Sequence, residues 1–363
     1  MPLPERQRLI LKETVDRYIR LREPVSSRMI LEDYGLRASS ATVRNDMNDL
    51  EAAGYIEKPY ASSGRIPTKK GYRFFVDWLL DLSELTKKER LEVVEAYEVH
   101  SLEIGETMRQ TAFLLGNITG YVGFIIPPRL EETRLDRVML LHMTPRLVLL
   151  VVVSDIGIVE HRLVPLQEDL SKEEVEQIAQ IINSSLHGVP LSTIHELTLK
   201  ENPEGWYERP VRQALLLLER LLERRSHQRL YSEGVLNLVD DLQKTDPERS
   251  MDHFARLIHA VQDDRSFIEA IHGARSDKHG LAVSIGAESL PGLENYSVVT
   301  SDYRPHAGIL GVIGPLWMDY GRVLSATSYI AHRLETLLVT SCKPSTRGIK
   351  DNLKRDQGRY ESK

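Results

Sequence analysis

The sequence predicts an α+β protein of more than one domain. Three observations carry this. The chain has 363 residues, more than one hydrophobic core of ordinary size usually organises. Apolar residues in its first third recur at helix spacing. Further on, runs rich in Val, Ile and Leu come both before and after a long helical stretch. Strands split around helices suggest an α+β domain carrying an insertion.

The first helix spans roughly Glu5 to Arg22, with Leu11, Val15, Tyr18 and Ile19 on one face. Pro24 breaks it. A serine cap then opens a short second helix that stops at Gly35. After the turn "LRAS", a third helix starts at Ser39 or Ser40 and stops at Gly54. Val43, Met47 and Leu50 are four and three apart, so they face a core. "YIEKPYASSGRIPTKKGY" reads as two extended arms about the turn "ASSG". Pro59 and Pro67 in it suit edge strands. From about Leu79 to Leu115 a charged helical stretch reads as a spacer or dimer-packing helix.

The period then changes. "YVGFIIPP", "LDRVMLLHM", "RLVLLVVVSD" and "GIVEHRLVPL" are strand-like, with a hairpin turn at Asp155-Ile156-Gly157. Residues 171–274 read as mainly helical, with one strand-like run at "TIHELTL". Strands resume at "GLAVSIGAE", "YSVVTSDY" and "AGILGVIGP". A last helix, about Tyr320 to Val339, places Leu324, Thr327, Ala331, Leu334 and Leu338 on one face. The charged tail from Cys342 has the polar composition of a disordered segment.

Composition narrows the function class. Hydrophobic residues at 41% and charged residues at 28% are the balance of a soluble globular protein. The longest apolar run, Leu147 to Val153, is strand-sized, so no membrane span is expected. The N-terminus has charges throughout and no apolar signal region. One cysteine excludes an internal disulfide framework and a cysteine-rich zinc site. A cytoplasmic protein is expected. The net charge is −6, which argues against general nucleic-acid binding, but it divides into +3 over residues 1–80 and −9 over the rest. Lys58 to Arg73 holds five bases and no acid. A basic loop at one end of an acidic chain suits one anionic partner there.

Helix, turn, helix and basic hairpin, in that order, make a winged helix-turn-helix. A helix that enters the major groove needs small, polar or basic residues on its exposed first turns. Ser39, Ser40, Thr42, Arg44 and Asn45 meet that need. Arg44 can pair with guanine edges or a phosphate, and Asn45 with adenine. The serines and the helix N-terminus can hold a phosphate. Asp46, Asp49 and Glu51 lie where they can point away from phosphates. Arg65, at the hairpin tip, can enter the minor groove or grip the backbone. Lys69, Lys70 and Arg73 can add phosphate contacts.

The segments "GLRASSATVRNDM", "LEAAGYIEKPYASSGRIPTKKGYR" and, far downstream, "VSIGAE" resemble the patterns of the heat-inducible transcription repressor HrcA family. The order of the elements fits over nearly the whole chain, the charged tail excepted. The resemblance implies a repressor of chaperonin and related chaperone operons. It implies binding of double-stranded DNA at an inverted-repeat operator as a homodimer, with the chaperonin as modulator. It implies a GAF-like split domain and a helical dimerisation insertion. The carried-over groove residues are Ser39, Ser40, Thr42, Arg44 and Asn45; those of the wing are Gly64, Arg65, Lys69 and Tyr72. The expected domains are 1–78 for DNA binding, 79–118 for the connecting helix, and 119–168 with 252–341 for the GAF-like domain. Residues 169–251 form the insertion and 342–363 the tail.

Two other readings have weaker support. A small effector could sit in the sheet domain, lined by Val122, Phe124, Leu141 and Val283. Alternating apolar residues are usually core, and no convergent polar anchors stand out. An enzyme with a DNA-binding arm would need a nucleotide loop. "HGARSDKHGLAVSIGAE" has neither phosphate-cradle spacing nor a Walker lysine. No G-x-S-x-G elbow or paired-histidine motif occurs. His142, His161 and His272 read as surface or hydrogen-bonded residues. Cys342 beside Lys343 reads as packing rather than an activated thiol. Gly120, Gly123 and the "GVIGP" glycines read as tight strand turns. No catalytic residue, metal, cofactor or small-molecule substrate is expected. In the insertion, Leu215, Leu218 and Leu222 have the spacing of a helical dimer contact.

Overall fold

The structure, a computed structural model, describes residues 3–34, 39–60, 63–100, 104–166, 168–194, 229–238, 255–259, 261, 264–273, 281–286, 293–303 and 308–341. It is a mixed α+β chain that opens with a helical region carrying a small sheet. Helices α1 (Glu5–Leu21), α2 (Ser27–Tyr34) and α3 (Ser40–Ala52) come first. Ser39 caps α3, its hydroxyl accepting from the Thr42 amide at 3.2 Å. Val43, Met47 and Leu50 are fully buried, as their spacing requires. Strands β1 (Ile56–Glu57) and β2 (Ile66–Pro67) pair antiparallel, and Val25 bridges to Arg65 alongside them.

The second arm of the hairpin is shorter than its sequence suggests. Residues read as extended form a helix, α4 (Lys69–Trp78). Thr68 caps it by accepting from the Gly71 amide at 3.1 Å. Gly71, a helix-weakening residue, is there for space: a Cβ would lie 2.1 Å from the Tyr55 carbonyl oxygen. The spacer also differs. It is two helices, α5 (Lys87–His100) and α6 (Ile104–Thr119). The second is core, with Met108, Ala112 and Leu115 fully buried.

Five antiparallel strands form the main sheet in the order β7-β3-β10-β9-β8. They are β3 (Val122–Ile126), β7 (Tyr231–Glu233), β8 (Leu281–Ile285), β9 (Tyr296–Tyr303) and β10 (Gly308–Pro315). Helix α6 lies against one face. The closing helix α9 (Tyr320–Ser341) packs beside it, and the Tyr320 hydroxyl lies 2.7 Å from that of Ser297 on β9. On the other face α8 (Asp264–Gly273) sets Phe267 edge-on to Phe124, their centroids 5.3 Å apart. Gly123 is no turn residue. It lies inside β3, where a Cβ would stand 2.2 Å from the Ala112 carbonyl oxygen of α6.

The expected domain limits need correcting. Strands β4 (Leu135–Thr144), β5 (Leu147–Ser154) and β6 (Val159–Pro165) do not join the main sheet. They form their own antiparallel sheet. Helix α7 (Lys172–Leu186), opened by a capping box of Ser171 and Glu174, covers one side of it. Leu135, Val148, Leu150, Val175, Ile178 and Leu191 share that separate core. The insertion thus begins before β4, not at residue 169. Conversely residues 231–233, read from sequence as part of the helical insertion, form strand β7 and pair with β3. Of the run "TIHELTL", residues 193 and 194 are helical and the rest lies outside the described residues. The expected β5–β6 turn is present, with Gly157 at φ +84.

Gly123→Ala should force β3 and α6 apart. A loss of about 1–3 kcal/mol is expected, read as a lowered midpoint in chemical denaturation followed by tryptophan fluorescence and circular dichroism. An unchanged midpoint would contradict the packing of α6 on β3.

Candidate nucleic-acid interface

The exposed surface of the first module centres on α3. Ser39, Ser40, Arg44 and Asn45 are exposed and Thr42 is half-buried. All lie at or near its N-terminal half, where free backbone N–H groups favour an anion. The Ser39 and Thr42 hydroxyls sit 2.9 Å apart. Among the described residues the Arg44 and Asn45 side chains make no hydrogen bond or ion pair, so both are available to a partner. Acids nearby are already used. Asp46 is buried and takes two bonds from the Arg6 guanidinium, at 2.6 and 3.1 Å. That carboxylate raises the Arg6 pKa above its ordinary value through the hydrogen bond and its charge. Asp49 accepts from Gln7 at 3.3 Å.

The predicted wing residues separate into two groups. Arg65 is not at an exposed tip. It is 7% exposed, and its Nε donates to Glu51 at 3.1 Å while its Nη2 donates to Asn48. Gly64 beside it permits a close crossing: a Cβ there would stand 2.6 Å from the Pro24 carbonyl oxygen. Lys70 donates to the Ala53 carbonyl at 2.7 Å, at the C-terminal end of α3, and lies over the Tyr55 ring at 4.4 Å. Lys69 is exposed at its head, with its methylenes beside Gly286. The remaining two face the sheet domain. Tyr72 is buried, its ring 6.1 Å from that of Tyr320. Arg73 donates to the Val283 carbonyl on β8 at 2.8 Å. The structure thus gathers the five α3 residues on one face and sends Tyr72 and Arg73 to an interdomain joint.

Several residues here have roles that the sequence did not show. Tyr60 is 76% exposed on the wing. Lys58, Asn48 and Glu51 make the wing's ion pairs and hydrogen bonds. Arg22 caps α1 with φ 59, and its Nη1 donates to the Trp317 carbonyl at 2.8 Å. The readable signal was Glu51, an acid just ahead of the bases of the hairpin, which needs a compensating cation.

The effector pocket does not assemble. Val122 and Phe124 are fully buried in the main sheet. Leu141 is on the outer side of the other sheet, and Val283 lies at the α4 joint. His142 bonds to the Leu170 carbonyl at 3.0 Å. Leu215, Leu218 and Leu222 lie outside the described residues. Among the described residues no helix is long and apolar enough to cross a membrane.

A helical, hairpin-bearing module with an unpaired Arg and Asn on one helix is joined to a large sheet domain, an arrangement that suits a transcription regulator. A family model described as the HrcA protein C terminal domain matches residues 105–324. The chain is 33% identical over 342 residues to the heat-inducible transcription repressor HrcA of Geobacter sulfurreducens, covering 93% of this chain and 98% of that one. With the same repressor of Halalkalibacterium halodurans it shares 33% identity over 343 residues, and again 93% and 98% are covered. The fold matches a crystal structure of a hypothetical protein at TM-score 0.60 and 26% identity, over 94% of this chain and 100% of that one. The chain belongs to the HrcA family.

Among the described residues the Tyr72 hydroxyl has no hydrogen-bond partner at the joint. Burial, with Tyr320 beside it, pushes the phenol well above its usual pKa range. Tyr72→Phe should therefore hold or raise stability, by up to about 1 kcal/mol. Tyr72→Ala should cost about 3 kcal/mol or more. Both are read by urea denaturation; a large loss from Tyr72→Phe would reveal a bond to that hydroxyl.

Proposed function

We propose that this chain is a heat-inducible transcription repressor. It binds an inverted-repeat operator of chaperonin and related chaperone genes as a homodimer, and the chaperonin modulates it. The first module acts as a winged helix-turn-helix and the main sheet as a GAF-like domain. The observation that carries the DNA reading is the free Arg44–Asn45 pair at the start of α3, with the adjacent Asp46 paired to Arg6. Arginine reads guanine and asparagine reads adenine through bidentate bonds that a wrong base cannot offer. The family relatives are heat-inducible repressors by name, which supports heat-responsive genes as the targets.

The dimer has a second support. The β4–β6 sheet is covered by α7 on one side, but its other side is apolar. Cross-strand rows there run Arg137, Val153, Val159; then Met139, Val151, His161; then Leu141, Leu149, Leu163. Met139 is 45% exposed, Leu141 53% and Leu163 54%. A patch of this kind marks an association surface. A twofold copy would bury it, and a twofold dimer matches the symmetry of an inverted repeat. The chaperonin's part rests on the family resemblance.

Fluorescence anisotropy with a duplex carrying the inverted repeat of a chaperonin promoter, against a scrambled duplex, tests the DNA reading. Measured with and without chaperonin, the intact chain should prefer the repeat. Arg44→Ala should lose about 1–3 kcal/mol of that preference, and affinity should fall steeply with salt. Equal weak binding to both duplexes in all conditions would refute it. For the dimer, Leu141→Glu should shift the chain to monomer in sedimentation velocity and weaken binding to the full repeat more than to a half-site. A Leu141→Glu chain that sediments as a dimer would remove the β4–β6 face from the interface.

A further inference from the structure

We infer that Glu51, Asn48 and Arg65 form a staple that sets the wing against the recognition helix. They are positioning residues for operator binding rather than DNA contacts. This rests on the DNA-binding reading above.

The hairpin cannot set its own angle. β1 and β2 pair through only two residues each, and an isolated hairpin of that size is marginal. The return arm is instead held from outside, just after the turn. The backbones of Arg65 and Val25 exchange two hydrogen bonds of 2.9 Å each, tying the second arm to the segment between α1 and α2. The Arg65 side chain then reaches the opposite way, to α3. There Glu51 accepts from Nε at 3.1 Å and Asn48 from Nη2. The first arm reaches the same carboxylate, with Lys58 Nζ 3.3 Å from Glu51 Oε2. One acid in the last turn of α3 thus takes a cation from each arm.

Geometry separates positioning from contact. A guanidinium that enters a groove must be free and exposed. That of Arg65 is engaged on two acceptors and its side chain is 9% exposed. Moving it into DNA would leave Glu51 with one exposed cation beside the phosphates. Kept in place, the staple cancels the acid's charge and holds the wing at a set distance from Arg44 and Asn45. Groove spacing in duplex DNA is nearly constant, so a wing that swings cannot dock together with α3.

The test uses the full chain and the same inverted-repeat duplex, with hydroxyl-radical footprinting beside anisotropy across a salt series. Glu51→Ala and Glu51→Gln are compared with Arg65→Ala and Arg65→Lys, and thermal melts by circular dichroism report folding. Glu51→Ala is expected to weaken operator binding about tenfold. It should shallow the salt slope and erase protection outside the α3 half-sites while the half-site protection stays. Arg65→Lys, which keeps one donor, should recover part of the outer protection. Should Glu51→Ala fail to fold, Glu51→Gln, which keeps the shape and loses the charge, decides by the same footprint. The staple is overturned if the folded Glu51 variants keep the whole footprint. It is also overturned if Arg65→Ala alone loses the outer protection, since that marks Arg65 as a direct contact. An intact chain that binds neither duplex refutes the DNA reading itself, a result visible before any variant is measured.

Discussion

The structure depends on the continuous packing between the first module and the main sheet. One apolar core runs from Ile10, Leu11 and Leu50 through Tyr72 and Phe75 to Tyr320 and the strands beyond. Polar contacts pin its edge. Arg22 reaches the Trp317 carbonyl, Arg73 reaches that of Val283, and the Lys69 methylenes lie beside Gly286. The α3 surface is therefore carried on a body anchored to the sheet, not on a free arm. Rigid support of that kind lets a few exposed side chains hold a productive geometry.

The same joint explains how the basic stretch from Lys58 to Arg73 is divided. A run of five bases looks uniform in sequence. In space four of the five are held, by acceptors of different kinds. Lys58 and Arg65 meet Glu51, Lys70 a helix-end carbonyl, and Arg73 a strand carbonyl. Buried or half-buried cations need such partners, because an unpaired charge away from water is costly. Lys69 and, on α3, Arg44 are left with no such acceptor among the described residues. The positive character of the module's end is real, but less of it is free than the count implies.

Local chemistry made much of this legible. Ser39 as the α3 cap, the buried trio Val43, Met47 and Leu50, and the turn at Gly157 follow from capping, helical period and backbone freedom. Each depends on residues within a few positions. The start of helix α4 reads in sequence as the second extended arm of the hairpin; Gly71 in it lets Tyr55 approach. The run "LVLLVVVS" misled in another way. Its apolar residues alternate in space between a covered side at Val148, Leu150 and Val152 and an open side at Leu149, Val151 and Val153. A sequence apolar on both faces reads as a fully buried strand, so the separate sheet was folded into the main one.

By itself the sequence determined the helical opening with its capped third helix, most of the strands though not β7, the local charge and the family motifs. All of these are written in residues near one another along the chain. Only the tertiary structure decided which strands share a sheet, that β7 returns to β3, and that Arg65 and Tyr72 turn inward while Arg44 and Asn45 stay free. Pairing partners and burial depend on atoms distant in sequence, such as Glu51 for Arg65 and Tyr320 for Tyr72. Residue type states what a side chain can bond; the fold decides whether water, DNA or protein reaches it first.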